Sequence, residues 1–134
     1  MASFEDQIKQ FADEVIKKQE LAVRKISLEI FTRVILKSPV DEGRFRGNWQ
    51  VSIGNVPSGT VEIDDKSGSA TISKAQAKAL SLTAGQVIYL VNNLPYSHKL
   101  EYGHSNQAPN GMVRTTVQEF SGVVDQIAKE LSKK

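Results

Sequence analysis

Residues 38–49 read SPVDEGRFRGNW and lie where a long helical pattern stops and a strand pattern begins. Pro39 ends the helical pattern, because its ring fits poorly inside a helix and it has no N–H to donate. The acidic residues and Gly43 that follow have the chemistry of a turn. Trp49, the only tryptophan, opens the strand pattern. We predict that this stretch turns the chain off the helix and that Trp49 anchors the turn to the sheet.

The first helix is predicted over residues 4–37. Ser3 and Asp6 form a capping-box-like start. Apolar residues recur every three or four positions, at Phe4, Ile8, Phe11, Val15, Ala22, Ile26, Ile30 and Val34. Such a helix is about 50 Å long at 1.5 Å per residue, which exceeds what one small core needs. Two interpretations remain open: the helix packs on a sheet along its whole length, or residues 4–15 project to a neighbouring subunit.

The rest of the chain alternates short strands and helices. Strands are predicted at 49–53, 60–63 and 86–91, and helices at 73–82, capped by Ser73, at 96–102, and at 111–132, capped by Asn110. Residues 64–69 and 103–109 are predicted exposed loops, the first of them mobile. The fold class is therefore α+β: a long N-terminal helix and a C-terminal helix packed on a small, mainly antiparallel β-sheet. We predict one domain over 1–134, made of segments 1–37, 38–110 and 111–134.

Composition narrows the possible functions. The 134 residues are 40% hydrophobic and 24% charged, with a formal net charge of +2, which is ordinary for a globular protein and too small to indicate a nucleic-acid coat. The absence of cysteine excludes a disulfide framework and a thiolate metal site. The first ten residues, MASFEDQIKQ, lack the apolar core of a signal peptide, and no run has the length of a membrane span. We therefore expect a protein made in a cytoplasm, with no membrane partner.

Catalytic patterns are weak. His98, Glu101 and His104 are admissible zinc ligands, but their spacing is not a signature, and a helix-end histidine with a surface glutamate is the favoured interpretation. The chain has no Gly-x-Ser-x-Gly elbow and no phosphate-binding loop. We predict no catalytic residue, no metal and no cofactor, and therefore no enzymatic activity.

Arg44 and Arg46 flank Phe45, an arrangement that could place two guanidinium groups on phosphates. Two charges give little affinity, however, and Asp41 and Glu42 lie beside them as possible partners. The favoured interpretation is a salt bridge within the chain or between subunits. Arg46→Ala is accordingly expected to impair assembly more than folding.

Two blocks together resemble a known family. Residues 38–49 resemble the "Pro-Val-Asp-Thr-Gly-x-Leu-Arg-x-Ser-Trp" block of the neck or tail-completion proteins of long-tailed bacteriophages. Residues 89–120, YLVNNLPYSHKLEYGHSNQAPNGMVRTTVQEF, are similar to that family's strand, its "Tyr-Ala…Glu-Tyr-Gly" segment and the start of its last helix. The departures are Glu42 for the usual threonine, Phe45 for leucine and Asn48 for serine.

The resemblance implies a structural virion protein at the head–tail junction or the head-proximal end of the tail, assembled in the host cytoplasm. It implies partners as well: copies of itself in a sixfold ring, neighbouring head-completion or connector, tail terminator and tail tube proteins, and genome DNA that passes through without sequence-specific binding. Residues 41–49 and 96–104 are candidates for two separate interface patches. The candidate interface residues are Asp41, Glu42, Arg44, Arg46, Trp49, Tyr96, Glu101, Tyr102 and His104, and the candidate turn residues are Pro39, Gly43, Gly103 and Gly111.

Three alternatives stay open at this point. A tail terminator that caps the tail tube belongs to the same class. A small DNA-binding module would use Arg44, Arg46 and the basic residues of the first helix. A metal hydrolase would depend wholly on His98, Glu101 and His104. The loops at 64–69 and 103–109 are expected to become ordered when a neighbouring ring docks.

Overall fold

Helix α1 (Phe4–Lys37) is the longest element of the computed structural model, which describes residues 3–132. Its predicted bounds are confirmed. The capping box is formed: the Asp6 N–H donates to Ser3 Oγ at 3.1 Å, and the Ser3 N–H donates to Asp6 Oδ2 at 3.4 Å. Ser38 caps the other end, with its N–H donating to the Ile35 carbonyl. Local sequence signals therefore determine both ends of this helix.

The two halves of α1 have different surroundings. Phe31, Val34 and Ile35 in the second half are buried, whereas residues 3–19 are all exposed. The first half therefore extends beyond the core of its own chain.

The turn after α1 leads through a short helix, α2 (Arg44–Gly47), into the sheet. Strand β1 (Trp49–Ile53) pairs antiparallel with β2 (Ile88–Asn92), so that Trp49 lies opposite Asn92. Strand β2 thus begins two residues later than predicted. These two strands form the whole sheet that the structure describes within residues 3–132. The predicted α+β class, with its antiparallel sheet, is confirmed.

The strand predicted at 60–63 is wrong. This segment has no partner strand in the described part of the chain, and its backbone bonds elsewhere: the Val61 N–H donates to Asn48 Oδ1 at 2.9 Å. The Ile63 carbonyl lies against Gly47, where a Cβ would collide with it. Strand-like composition was insufficient because a strand needs a neighbour to satisfy its backbone groups.

Helix α3 (Ser69–Leu80) begins four residues before the predicted start at Ser73. Asp65 explains the difference. Its carboxylate accepts from the Gly68 N–H at 3.1 Å, the Thr71 N–H at 2.9 Å and the Thr71 hydroxyl at 2.7 Å. Burial alone raises the pKa of the Asp65 carboxyl, but these hydrogen bonds outweigh it and hold the pKa below its ordinary value. The tract at 64–69 is therefore anchored at the buried Asp65 and Gly68, while its other residues are exposed as predicted.

The chain ends in three helices: α4 (Ser97–Glu101), α5 (Val113–Gln118) and α6 (Phe120–Ser132). The single final helix predicted from residue 111 is wrong, since it starts later and is interrupted at Glu119. There the Glu119 N–H donates to the Thr116 carbonyl, a tightened turn, and the Glu119 carboxylate pairs with Arg33 and Lys37 of α1, both at 2.9 Å. Asn110 does not cap it either, because Met112 is the cap residue of α5. Residues 133–134, part of the predicted helical segment, lie outside the described residues.

The helices pack around α1. Helix α3 lies along α1 and against β1, and α6 packs on α1. One cluster of buried side chains joins them: Phe31, Val34, Ile35, Phe45, Trp49, Ala75, Leu94, Ala108 and Met112. Within residues 3–132, no helix combines the length and apolar character needed to cross a membrane.

Candidate assembly interface

The two blocks that carry the family resemblance lie side by side. A groove of about 380 Å³, here called the turn groove, has residues 39–45 on one side and Tyr96 and Leu100 on the other. The Phe45 and Tyr96 ring centroids are 6.1 Å apart. Both blocks therefore contribute to the lining of one groove, and the assignment of residues 41–49 and 96–104 to two interface patches stays a prediction.

The rim of the turn groove is charged. Asp41, Glu42 and Arg44 are exposed there, and Tyr96 is exposed as well. The loop at 103–109 is fastened to the same turn: Gln107 donates from its side-chain amide to the Val40 carbonyl at 3.0 Å and accepts from the Val40 N–H at 2.8 Å. The loop is thus held by the chain itself, without a neighbouring ring.

The Glu101 carboxylate caps the N-terminus of helix α5, although Glu101 belongs to helix α4. Its carboxylate accepts from the N–H groups of Met112 at 3.0 Å, Val113 at 2.8 Å and Arg114 at 3.0 Å, and from Arg114 Nε at 3.1 Å. Burial alone raises the pKa of the Glu101 carboxyl, but the hydrogen bonds outweigh it and leave the pKa below its ordinary value. Gly111 permits this approach, since it has φ of 86° and a Cβ there would collide with Glu101. Glu101 therefore has a structural role.

Tyr102 remains a surface residue. Its ring is exposed and lies between the Arg114 guanidinium, whose Cζ is 4.4 Å from the ring centroid, and the His98 ring, 4.6 Å away between centroids. His104 is exposed nearby. With Glu101 engaged by α5, the predicted zinc alternative loses its carboxylate, and no cluster of three His, Cys, Asp or Glu side chains suited to a metal ion occurs among residues 3–132.

Arg46 is bound inside its own chain. Its guanidinium donates to three backbone carbonyls, those of Lys66 at 2.7 Å, Leu36 at 2.9 Å and Ser38 at 2.8 Å. Burial lowers the pKa of the Arg46 guanidinium, and the nearby Asp65 carboxylate partly offsets that effect. Within residues 3–132, Arg46 forms no ion pair with Asp41 or Glu42. The guanidinium instead ties the end of α1 to the tract before α3.

Trp49 lies in the core, with 8% of its surface exposed. Its Nε1–H donates to Ser38 Oγ at 2.7 Å, and the Ser38 hydroxyl donates to the Val34 carbonyl at 2.9 Å. The Phe45 ring meets the indole edge-on at 5.8 Å between centroids. Sequence patterns could identify Trp49 as core, but its hydrogen bond to the last turn of α1 depends on the tertiary fold.

The first half of α1 forms an overhang, defined as residues 4–18. The chain first holds α1 at Glu20, whose carboxylate accepts from the Ala84 N–H at 3.0 Å, and then at Arg24, whose Nε donates to the Leu82 carbonyl at 2.7 Å. The overhang is about 22 Å long at 1.5 Å per residue. Its apolar stripe consists of Phe4 and Phe11, 76% and 68% exposed, with Ile8 and Val15 between and beyond them. Residues 4–15 therefore project from the core of their own chain, and their contact with a neighbouring subunit stays a prediction.

Comparison of the chain with protein-family models, with curated proteins and with solved structures found no match. A function for these surfaces is therefore argued from their residues and from the resemblance of the two blocks. The predicted interface residues that are exposed are Asp41, Glu42, Arg44, Tyr96, Tyr102 and His104, whereas Arg46 and Glu101 are half-buried and Trp49 is buried.

Proposed function

We propose that this chain is a structural, non-enzymatic protein of the head–tail junction of a long-tailed bacteriophage. As a neck or tail-completion protein, it forms or joins a ring that completes the tail, permits joining to the filled head and leaves a channel for DNA. The resemblance of residues 38–49 and 89–120 supports this proposal. The meeting of both blocks at one surface, the turn groove, supports it further.

The overhang is the observation that carries the proposal. A free helix that exposes two phenylalanines is unfavourable in water, because burying one large apolar side chain gains about 1.5–3 kcal/mol. The core of this chain uses only the second half of α1, around Phe31 and Ile35. An exposed apolar stripe that lies beyond the core of its own chain is typical of a surface that contacts another protein.

The positions of the surfaces favour a ring. The overhang is at the N-terminal end of α1, whereas the turn groove, at residues 39–45, adjoins its C-terminal end. Contacts between two different patches of identical subunits are heterologous and close into a ring when the rotation allows it. The overhang and the turn groove are different surfaces, so this chain offers more than one patch to its neighbours.

The DNA-binding alternative is weakened by Arg46, whose guanidinium is occupied by three carbonyls. Arg44 alone remains exposed in the motif, and one phosphate contact supplies little affinity at physiological salt. The alternative then depends on the basic residues of the first helix, such as Lys9, Lys17 and Lys18, which are exposed. If the isolated protein bound duplex DNA with a steep dependence on salt, that alternative would gain support.

Disruption of the gene in its phage tests the proposal. Electron microscopy of the lysate is expected to reveal DNA-filled heads and separate tails of normal length, and joined particles are expected to return when the gene is supplied in trans. Tails of abnormal length would instead support a tail terminator. Joined, infectious particles without the protein would refute both roles.

A further inference from the structure

A second groove lies on the face formed by α3 and β1. This sheet groove has a volume of about 360 Å³ and is lined by Trp49, Val51 and Val61 on one side and by Lys74, Ala77 and Lys78 of α3 on the other. We infer that it receives the overhang of a second copy of this chain, so that the apolar stripe of one subunit packs into the next. This inference rests on the self-association that the proposed function requires.

The lining of the sheet groove suits the stripe chemically. Val51 and Val61 are only partly covered by their own chain, and Ala77 is exposed. Small and aliphatic side chains leave room for larger ones from a partner, such as Phe11 and Ile8 of the stripe. Interfaces between identical subunits are generally more apolar at their centre than the remaining surface.

The charges beside the stripe favour docking at the sheet groove over docking at the turn groove. The overhang, residues 4–18, contains four acidic residues, at positions 5, 6, 13 and 14, and three lysines, at positions 9, 17 and 18. Glu5 and Glu14 lie about a quarter-turn from the stripe, one on each side of it, at about 100° per residue. Lys74 and Lys78 are exposed and four residues apart, and therefore share one face of α3.

The turn groove would repel the acidic residues of the same helix. Its rim carries the exposed carboxylates of Asp41 and Glu42, against the single cation of Arg44. Like charges brought together across an interface suppress that pairing. Of the two grooves, the sheet groove is therefore the electrostatically complementary one.

The overhang cannot reach the sheet groove of its own chain. Helix α1 is continuous from Phe4 to Lys37, and α3 runs back along its second half, from the Gly68 contact with Ile35 to the Leu82 contact with Arg24. The overhang continues beyond that point, away from the residues that line the groove. The occupant must come from another molecule, and each copy offers one stripe and one groove.

The absence of native cysteine permits a direct test by disulfide trapping. Phe11→Cys and Ala77→Cys are placed in separate chains of different tag size, mixed and oxidised, so that even transient docking is captured. The mixed dimer is expected to form fastest. Ala128→Cys, an exposed alanine of α6, replaces Ala77→Cys as the matched control.

Charge reversal adds a second readout. Lys74→Glu with Lys78→Glu in the Ala77→Cys chain is expected to slow trapping roughly tenfold, and Glu5→Lys with Glu14→Lys in the Phe11→Cys chain is expected to restore it. Equal trapping with the Ala128→Cys control, or no rescue by the reversed acids, would overturn the inference.

Two further outcomes would also overturn it. A dominant Phe11→Cys homodimer would mean that the stripes pair with each other, and no trapping in any mixture would mean that a different protein covers the stripe. These results are independent of where the protein lies in a particle. Trapping could therefore succeed while the head–tail assignment fails, or the reverse.

Discussion

Replacement of Glu101 by alanine distinguishes a structural carboxylate from an interface carboxylate. The carboxylate satisfies three backbone N–H groups at the start of α5, those of Met112, Val113 and Arg114, and pairs with Arg114 Nε at 3.1 Å. Without it, these donors lose their partner, and the link between α4 and α5 is broken. Glu101→Ala should therefore lower the free energy of unfolding in the isolated protein.

The size of the effect follows from the number and burial of these contacts. Hydrogen bonds to a charged group contribute about 1.5–3 kcal/mol each, and loss of a helix cap costs about 1 kcal/mol. The Glu101 side chain is 16% exposed, so water can replace only part of what is lost. We expect the free energy of unfolding to fall by about 2–4 kcal/mol for Glu101→Ala. For Glu101→Gln, which keeps one acceptor oxygen, we expect it to fall by about 1–2 kcal/mol.

Urea denaturation followed by the fluorescence of Trp49, which is buried and unique, measures this change. With a slope of about 2 kcal/mol per molar urea, the Glu101→Ala midpoint should fall by about 1–2 M. Glu130→Ala, which removes an exposed glutamate from α6, is the control and should leave the midpoint unchanged.

The pH dependence gives an independent check. The folded-state pKa of Glu101 lies below its ordinary value, which is about 4.3 in an unfolded chain. Its stabilisation is thus present above the unfolded pKa and is lost as the pH falls through the folded pKa. The wild-type chain should therefore lose more stability than Glu101→Gln on acidification. An unchanged urea midpoint for Glu101→Ala, with parallel acid profiles, would refute the capping role.

Four more substitutions, one of them a control, separate folding from assembly. Trp49→Ala should lower the free energy of unfolding, measured by circular dichroism, by about 3–5 kcal/mol. The substitution leaves a cavity in the core and removes the donor that Ser38 Oγ accepts from. A loss below about 1 kcal/mol would contradict a core position for Trp49. Arg46→Ala should lower the free energy of unfolding by about 2–3 kcal/mol, because three backbone carbonyls lose their hydrogen-bond donor. Arg44→Ala, at an exposed position, is the control and should change the free energy of unfolding little. Equal losses for the two variants would argue against the hydrogen-bond network of Arg46. Phe11→Ser should leave the urea midpoint unchanged and abolish incorporation into particles; normal incorporation would exclude a role for the stripe.

Local signals made α1 predictable. A capping box at Ser3, a regular stripe and Pro39 after the last turn all act within a few residues of the helix ends. Strand β1 was predictable for the same reason, because its alternation begins at Trp49. The failed strand at 60–63 had suitable composition but lacked a partner, which single-sequence patterns cannot reveal.

The other errors have tertiary causes. The interruption at Glu119 coincides with ion pairs to Arg33 and Lys37, more than 80 positions earlier in the chain. The early start of α3 depends on Asp65, which accepts hydrogen bonds three and six residues ahead. That acceptor was a recognisable signal that the prediction of a mobile loop overlooked.

The predicted interface residues include two whose contacts lie within their own chain. Arg46 and Glu101 have the residue types of surface contacts, yet their partners are backbone atoms remote in sequence, at Lys66 and at Met112 to Arg114. Charge and position alone cannot distinguish a side chain that bonds its own backbone from one that meets a neighbour. The stripe of α1, by contrast, was visible as a helix longer than its core requires.

The proposed position in the virion is tested by a reconstruction of the intact phage particle by cryo-electron microscopy. We expect a ring built from this chain at the head–tail junction or the head-proximal end of the tail, with each overhang against a neighbouring subunit. Placement of the chain in the capsid shell, at the distal end of the tail or outside the particle would contradict the proposed function.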